Sequence, residues 1–479
     1  MIARTVAAPF LLAALTASAI AQIPLAIPYA RTLDLLVVDG TYDGVWRLTD
    51  SNLDGDYNDA GEVNPFYTDT IGAFSWSTPT AITSAPDGTV YVSEVSADAI
   101  YALRDGNGDG DANDPGEHRI FFDGTNLSGF PIPQAYGLTA DAIGRVFVAA
   151  NNASSPAGPD RILLLQDLTN DGDAQDLGEA IDYYNAPGTT GALAASIPTH
   201  VIVGGDTFVY FTEAGTTYTK GVWRLVDLNF NGHCNDPGEA TLFWTPPFAT
   251  SPQYWSLGLD STWAFLVTDH ASGNEKVWRG VDANSNGIIE PGEQTLFYQT
   301  AGSSWWDLTT RADGTVLLVD SDAPDKITAL RDGNNDGDAL DANESYQAYQ
   351  AGLAATTIAV RGATMQRGPS LVLVPAAVPV GTLTNVTTVA SKPFDLCATV
   401  ISLGLGAPFP LAPWGVVEID VTAFVSIGGG LADANGYLSI PLTVPSNPAL
   451  IGYTYAFQGV SGDFFRLSLT NAAVMTVTP

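Results

Sequence analysis

The chain has 479 residues, 46% hydrophobic and 15% charged, which is enough for two or three domains with a large core and too apolar for an intrinsically disordered chain. Its 52 acidic residues outweigh 18 basic ones, for a formal net charge of −34. That balance excludes nucleic acid as a partner, because the basic patches that release counterions are missing.

Residues 1–21 read as an export signal peptide. Arg4 supplies the positive start, residues 7–15 an apolar stretch, and Ala19, Ile20 and Ala21 a small-x-small cleavage site before Gln22. The mature protein is expected to be secreted, in the extracellular space or on the cell surface. No later apolar run approaches the roughly eighteen residues of a membrane helix, so no membrane span is expected. Cys234 and Cys397 are too few for a disulfide scaffold; they either pair across domains or remain two thiols.

From residue 30 onward the chain repeats itself. DSNLDGDYNDAGE begins at Asp50, DGNGDGDANDPGE at Asp105, DLTNDGDAQDLGE at Asp167, DLNFNGHCNDPGE at Asp227, DANSNGIIEPGE at Asp282 and DGNNDGDALDANE at Asp332. Short apolar runs such as VWRL, IYAL, ILLL and ITAL precede the copies, and NPFY, RIFF, TLFW and TLFY follow them, as strands would. Upstream of each copy except the first lies a further pair, as in TAITSAPDGTVYV, GLTADAIGRVFV, SLGLDSTWAFLV and DLTTRADGTVLLV, where Asp-Gly or its substitute marks a hairpin turn. The unit is four strands, A to D, with the acidic loop joining C to D.

Six such units predict an all-β fold, a six-bladed β-propeller over residues 30–368. The first unit lacks its A strand, and TTIAVRG from Thr356 looks like an A strand with nothing after it. The last strand is therefore expected to complete the first blade, which removes the free edges. Over 370–479 the acidic loop does not recur, and alternating segments such as WGVVEIDVTAFV and FFRLSLTNAAVMTV predict a separate β-sandwich. Within it, LSIPLTVPSNPALIGYTYAFQGV resembles a C-terminal module that ends many exported bacterial repeat proteins.

The order D-x-[DN]-x-[DN]-G with a later Glu resembles the calcium loop of EF-hand and dockerin proteins. The resemblance implies up to six Ca²⁺, each held by side-chain oxygens at positions 1, 3 and 5, the carbonyl at position 7 and the closing acids. In the first copy these are Asp50, Asn52, Asp54, Asp56, Asp59 and Glu62, and in the second Asp105, Asn107, Asp109, Asp111, Asp114 and Glu117. The third offers Asp167, Thr169, Asp171, Asp173, Asp176 and Glu179; the fourth Asp227, Asn229, Asn231, His233, Asp236 and Glu239. The fifth offers Asp282, Asn284, Asn286, Ile288, Glu290 and Glu293, and the sixth Asp332, Asn334, Asp336, Asp338, Asp341 and Glu344.

The likeness covers about a dozen residues per repeat, without flanking helices. Five copies run one residue longer to the Glu than an EF-hand does, while the D-x-x-E spacing, E-x-x-E in the fifth copy, is kept in all six; that pair is expected to be what the ion needs. Half of all the acidic residues lie in these loops, where carboxylates repel unless a cation sits among them. The fourth and fifth loops carry the fewest charges and are expected to bind most weakly.

The architecture is similar to that of NHL and lactonase-like propellers. Lactonase-like members hold a catalytic metal in the central channel with an acid and amide set, and the A strands here offer no matching Glu. Aligning those strands puts Thr80, Tyr136, Thr199, Trp255, Trp306 and Thr356 at one level, and Ala81, Gly137, His200, Ser256, Asp307 and Thr357 at the next. Tyr136, Tyr254, Trp255, Trp305 and Trp306 are the candidate stacking platform for a sugar ring, and His200 with Asp307 the candidate acid–base pair. No G-x-S-x-G, H-E-x-x-H, phosphate loop or CxxC is present.

The reading is a secreted calcium-binding propeller, with calcium mainly structural, that binds a glycan or another cell-surface ligand without catalysis. The alternative is an exported carbohydrate-active hydrolase or lyase with its site at the aromatic mouth of the channel. An architectural module of a surface assembly is a third, expected to expose an apolar patch on its C-terminal domain.

Overall fold

In the computed structural model the described residues are 34–479, except 53, 71–73, 86–87, 108, 133, 142–143, 152–159, 170, 186–197, 205–207, 215–218, 248–253, 261, 270–274, 312–313, 335, 354–355, 367–370, 374–376, 390–395, 404, 412–414, 420–421, 423, 433–436, 463–466 and 470–472. The export signal lies outside them.

Alternating β-branched, aromatic and aliphatic residues between turn residues form strands that pair in chain order. Blade 1 holds β1 (Leu35–Asp39), β2 (Gly44–Leu48) and β3 (Val63–Thr68). Blade 2 holds β4 (Pro79–Ser84), β5 (Val90–Glu94), β6 (Ala99–Leu103) and β7 (His118–Phe122). Blade 3 holds β8 (Ala135–Ala140), β9 (Val146–Ala150), β10 (Arg161–Leu165) and β11 (Ala180–Tyr184). Blade 4 holds β12 (Pro198–Val203), β13 (Val209–Glu213), β14 (Gly221–Leu225) and β15 (Ala240–Trp244). Blade 5 holds β16 (Tyr254–Leu259), β17 (Phe265–Asp269), β18 (Glu275–Gly280) and β19 (Gln294–Thr300). Blade 6 holds β20 (Trp305–Thr310), β21 (Val316–Asp320), β22 (Lys326–Leu330) and β23 (Ser345–Gln350).

β24 (Val360–Met365) returns to pair antiparallel with β1, so the described residues form six four-stranded antiparallel sheets. Their innermost strands, β4, β8, β12, β16, β20 and β24, each lie beside the next in a closed ring. The fold is a six-bladed β-propeller closed by its last strand. Six buried clusters lie between successive blades; one joins Leu35, Val37 and Tyr57 to Leu317, Val319 and Tyr349 across the closure. Burial of apolar area between twisted sheets holds the ring together.

The closing strand differs from the sequence reading in register. The ladder sets Leu35 opposite Met365 and Asp39 opposite Val360, so the strand starts at Val360 and not at Thr356. Arg361 and Gly362, in place of Thr356 and Thr357, stand at the two channel levels. The ring is tight there: a Cβ on Gly362 would come within 2.7 Å of the Thr80 carbonyl, and one on Gly137 within 2.7 Å of His200 Cα.

The C-terminal strands are β25 (Leu371–Leu373), β26 (Ala377–Pro379), β27 (Leu383–Val389), β28 (Leu396–Ser402), β29 (Leu405–Leu411), β30 (Gly415–Ile419), β31 (Phe424–Leu431), β32 (Tyr437–Thr443), β33 (Thr454–Gly462), β34 (Leu467–Leu469) and β35 (Ala473–Thr478). One sheet runs β25-β27-β32, another β26-β35-β33-β28-β31 with β34 on β33, and β29 pairs β30. Val386 of the first sheet packs with Phe457, Met475 and Val477 of the second, the core of a β-sandwich. Cys234 and Cys397 are both buried and are not joined to each other in a disulfide.

Candidate metal loops and channel site

All six acidic loops fold alike. The Gly at position 6, at positive φ in every copy, donates its amide to Oδ2 of the first Asp at 2.8–3.0 Å. The final Glu clamps the loop shut. Its Oε1 accepts the amide of the second loop residue at 2.7–3.1 Å, and its Oε2 that of the acid three residues earlier at 3.0–3.3 Å. Glu62, Glu117, Glu179, Glu239 and Glu344 are buried. The constant spacing of the acid pair thus has a cause within the backbone, since only a Glu at that distance reaches both amides.

The remaining acids face one another. The Asn107 side-chain amide bridges Asp109 Oδ2 at 3.0 Å and Asp114 Oδ2 at 2.7 Å, and that of Asn334 bridges Asp336 Oδ2 at 2.9 Å and Asp341 Oδ2 at 2.7 Å. Asn52 bridges Asp54 and Asp59 in the same way, while Asn229 reaches Asp236 and Asn284 reaches Glu290. The partly positive amide hydrogens thus sit where the carboxylates at positions 5 and 10 converge. The third loop has Thr169 in place of that Asn. There Asp167 Oδ1 is shielded from solvent and has no hydrogen-bond partner among the described residues. Burial, and the like charges of Asp171, Glu179 and Asp176, raise the Asp173 carboxyl above its ordinary range. Ligand atoms of Asp171, Asp173 and Glu179 lie within 4.8 Å of one another, as do those of Asp109, Asp111 and Glu117, and of His233, Asp236 and Glu239. The two all-carboxylate groups are crowded, hard oxygen donors that fit a divalent cation, while the third offers the His233 ring nitrogen among its ligand atoms.

A second regularity was hidden in the sequence. The eighth residue of each loop is buried, and its amide crosses to the outermost strand of the preceding blade. Tyr57 donates to Ala348 O at 2.7 Å, Ala112 to Phe66 O at 2.7 Å and Ala174 to Phe121 O at 2.8 Å. Cys234 donates to Tyr183 O at 2.6 Å, Ile289 to Phe243 O at 2.8 Å and Ala339 to Phe297 O at 2.8 Å. Neighbouring side chains add to it: Asn58, Asn113 and Asn235 accept the amides of Gln350, Thr68 and Asn185 at 2.6–3.0 Å. Each loop is a clasp between two blades. Burial at this interface pushes the Cys234 thiol up to about 12, so it is no nucleophile.

The face where the A strands begin is closed more than the sequence suggests. Thr80, Tyr136, Thr199 and Trp306 line a shallow recess, and Arg361 lies over Trp306 with Cζ 5.9 Å from the ring centre. Trp305 is 1% exposed and packs against Tyr298, so it belongs to the core and not to a platform. The side chains of Tyr254 and Trp255 lie outside the described residues. Buried acids end strand B in five blades, as Asp39, Glu94, Glu213, Asp269 and Asp320. Glu94 Oε1 accepts the Ser77 amide at 3.2 Å, and Asp320 Oδ1 that of Ser304 at 2.9 Å, which pins the start of strand A. Aligning the B strands by their last residue would have revealed this column, and matching Gly137 to Gly362 would have placed Arg361.

His200 and Asp307 meet in the channel, Nε2 to Oδ1 at 3.9 Å, too far for a hydrogen bond. Asp307 is already occupied. Its Oδ1 accepts Ser256 Oγ at 3.1 Å and the Leu308 amide at 2.8 Å, and its Oδ2 the Ala363 amide at 3.0 Å. Burial raises the Asp307 carboxyl and lowers the His200 imidazole, with each partner opposing the shift. On the far side of the pair, toward the ends of the A strands, a cavity of about 170 Å³ is lined by Leu257, Thr309 and Met365.

No protein-family model matches the chain, and no curated protein matches it. Among solved structures it is similar to a candidate gluconolactonase at 14% identity over 67% of this chain and 87% of that one, with a TM-score of 0.39. It is also similar to a surface component of the type-IX secretion system of Porphyromonas gingivalis, at 10% identity over 86% of this chain and 53% of that one, TM-score 0.35. A streptogramin B lyase matches at 16% identity over 50% and 89%, TM-score 0.24. Likenesses this distant carry no argument about function, and the fold rests on strand order.

Two outcomes are expected. Glu179→Gln replaces one acceptor oxygen by a donor facing an amide, and should cost about 1–3 kcal/mol of stability, read by denaturant unfolding. Burial makes His200 take up its proton at a lower pH in the folded chain than in the unfolded chain, where it does so near the ordinary 6.5. Its contribution is complete above that pH and is lost as the pH falls through it toward the depressed folded value. With calcium saturating, His200→Gln should therefore flatten the fall in unfolding midpoint between about pH 7 and pH 5.5.

Proposed function

We propose that the chain is an exported, calcium-loaded propeller that binds a ligand outside the cell or at its surface, with calcium serving structure. The observation that carries this is the clasp. The residues that crowd negative charge into each loop also set the position of the amide that joins that loop to the preceding blade. A cation held by the side chains at positions 1, 3 and 5, the position-7 carbonyl and the acid three residues before the final Glu cancels the repulsion and fixes that position.

Six bound calcium ions would reduce the net charge from −34 to −22. Association with a surface is supported by large apolar side chains exposed in the C-terminal domain, including Leu383, Leu403, Val425 and Leu431 at 64–69%. The hydrolase or lyase reading draws less support. Its acid–base pair is not hydrogen-bonded, with His200 and Asp307 3.9 Å apart and Asp307 held by three other donors.

Chelation tests the proposal. Metal-stripped protein should melt many degrees below the calcium-loaded form, because ions bound only by the folded chain stabilise it by mass action. The fourth and fifth loops should release calcium first. Melting within a degree or two of the loaded form would contradict the structural role.

A further inference from the structure

The sequence expectation looked for a ligand where the A strands begin, but the larger space lies at their other end. Strands A and C run the same way in each blade, so this is also the face where the acidic loops begin and the A–B turns lie. The turn of blade 5 differs from those of blades 2, 3 and 6. In blades 2, 3 and 6 the residue closing the turn is Gly88, Gly144 or Gly314, with φ of 84–88°, and its amide bonds back three residues at 3.0–3.2 Å. Blade 5 makes the same turn, from Trp263 to Asp260 O at 3.1 Å, with Trp263 at φ 68°. A bulky residue in the left-handed region is strained, and blades 2, 3 and 6 show that glycine serves there.

The strained Trp263 lines the mouth of the cavity whose floor is His200 and Asp307. We infer that this cavity binds a single uncharged sugar ring, stacked on Trp263. Three observations fix the class. The volume, about 170 Å³, suits one six-membered ring. Among the described residues no Lys or Arg lines it, and the chain is strongly acidic, which disfavours an anion. Asp307 is satisfied by three protein donors, so no cation is called for. The remaining polar groups are the imidazole and threonines such as Thr139, Thr309 and Thr364, which match ring hydroxyls, beside an indole that matches the apolar face of a pyranose.

The inference takes up the ligand-binding part of the proposed function, and the calcium content and melting temperature of the same sample report separately on the structural part. The probes are glucose, galactose, mannose and xylose, with glucosamine and glucuronic acid as charged arms, followed by saturation-transfer NMR on the calcium-loaded full chain. At least one neutral sugar should bind, more tightly than either charged arm. Trp263→Gly should weaken it about tenfold while leaving the melting temperature unchanged or raised. Should that variant unfold, Thr309→Val, of the same shape without the hydroxyl, should weaken binding several-fold in a folded chain. Binding untouched in a folded variant, a charged sugar preferred over every neutral one, or no signal at tens of millimolar would each overturn the assignment.

Discussion

The repulsion among the carboxylates of one loop, which the proposed cation would cancel, is the constraint on which this account of the ring depends. A propeller buries its apolar area between blades, and that burial is non-directional. The clasp amides supply the register. In each loop Oδ2 of the first Asp and both oxygens of the last Glu accept backbone amides, which shape the turn, while in the first, second, third and sixth loops several acids between them are left close to one another. A loop sprung open by that repulsion would withdraw its eighth residue from the preceding blade, and one such bond, from Tyr57 to Ala348, spans the closure itself.

The two faces of the ring follow from the same repeat. Where the A strands begin, buried acids at the ends of the B strands take up backbone amides, and Arg361 over Trp306 leaves little room. The opposite face carries the acidic loops and the larger cavity. Rigidity at the rim therefore frames the space at the axis, a division of labour that fits a binding protein.

Much of this was legible in the sequence because the repeat is strong. VWRL, IYAL, NPFY and RIFF became strands where the apolar runs put them, and the A strand missing from the first blade did return at the far end. The register of that strand was not legible. TTIAVRG offers several alignments to its sisters, and only the ladder to β1 chooses among them. Trp305 and Trp306 are adjacent in sequence, but strand alternation sends one into the core, which composition alone cannot decide. The clasp was invisible because it is a backbone bond made by residues as unlike as Tyr57, Ala112 and Cys234. Trp263 was hidden until the A–B turns were superposed and a tryptophan appeared where blades 2, 3 and 6 carry glycine.

Hydrogen–deuterium exchange at the six clasp amides, Tyr57, Ala112, Ala174, Cys234, Ile289 and Ala339, tests the central claim most directly. With calcium bound all six should exchange as slowly as the strand interiors; with calcium removed they should open first, ahead of the inner strands. Equal protection of these amides in the two states would contradict the claim that a cation in each loop holds the blades together.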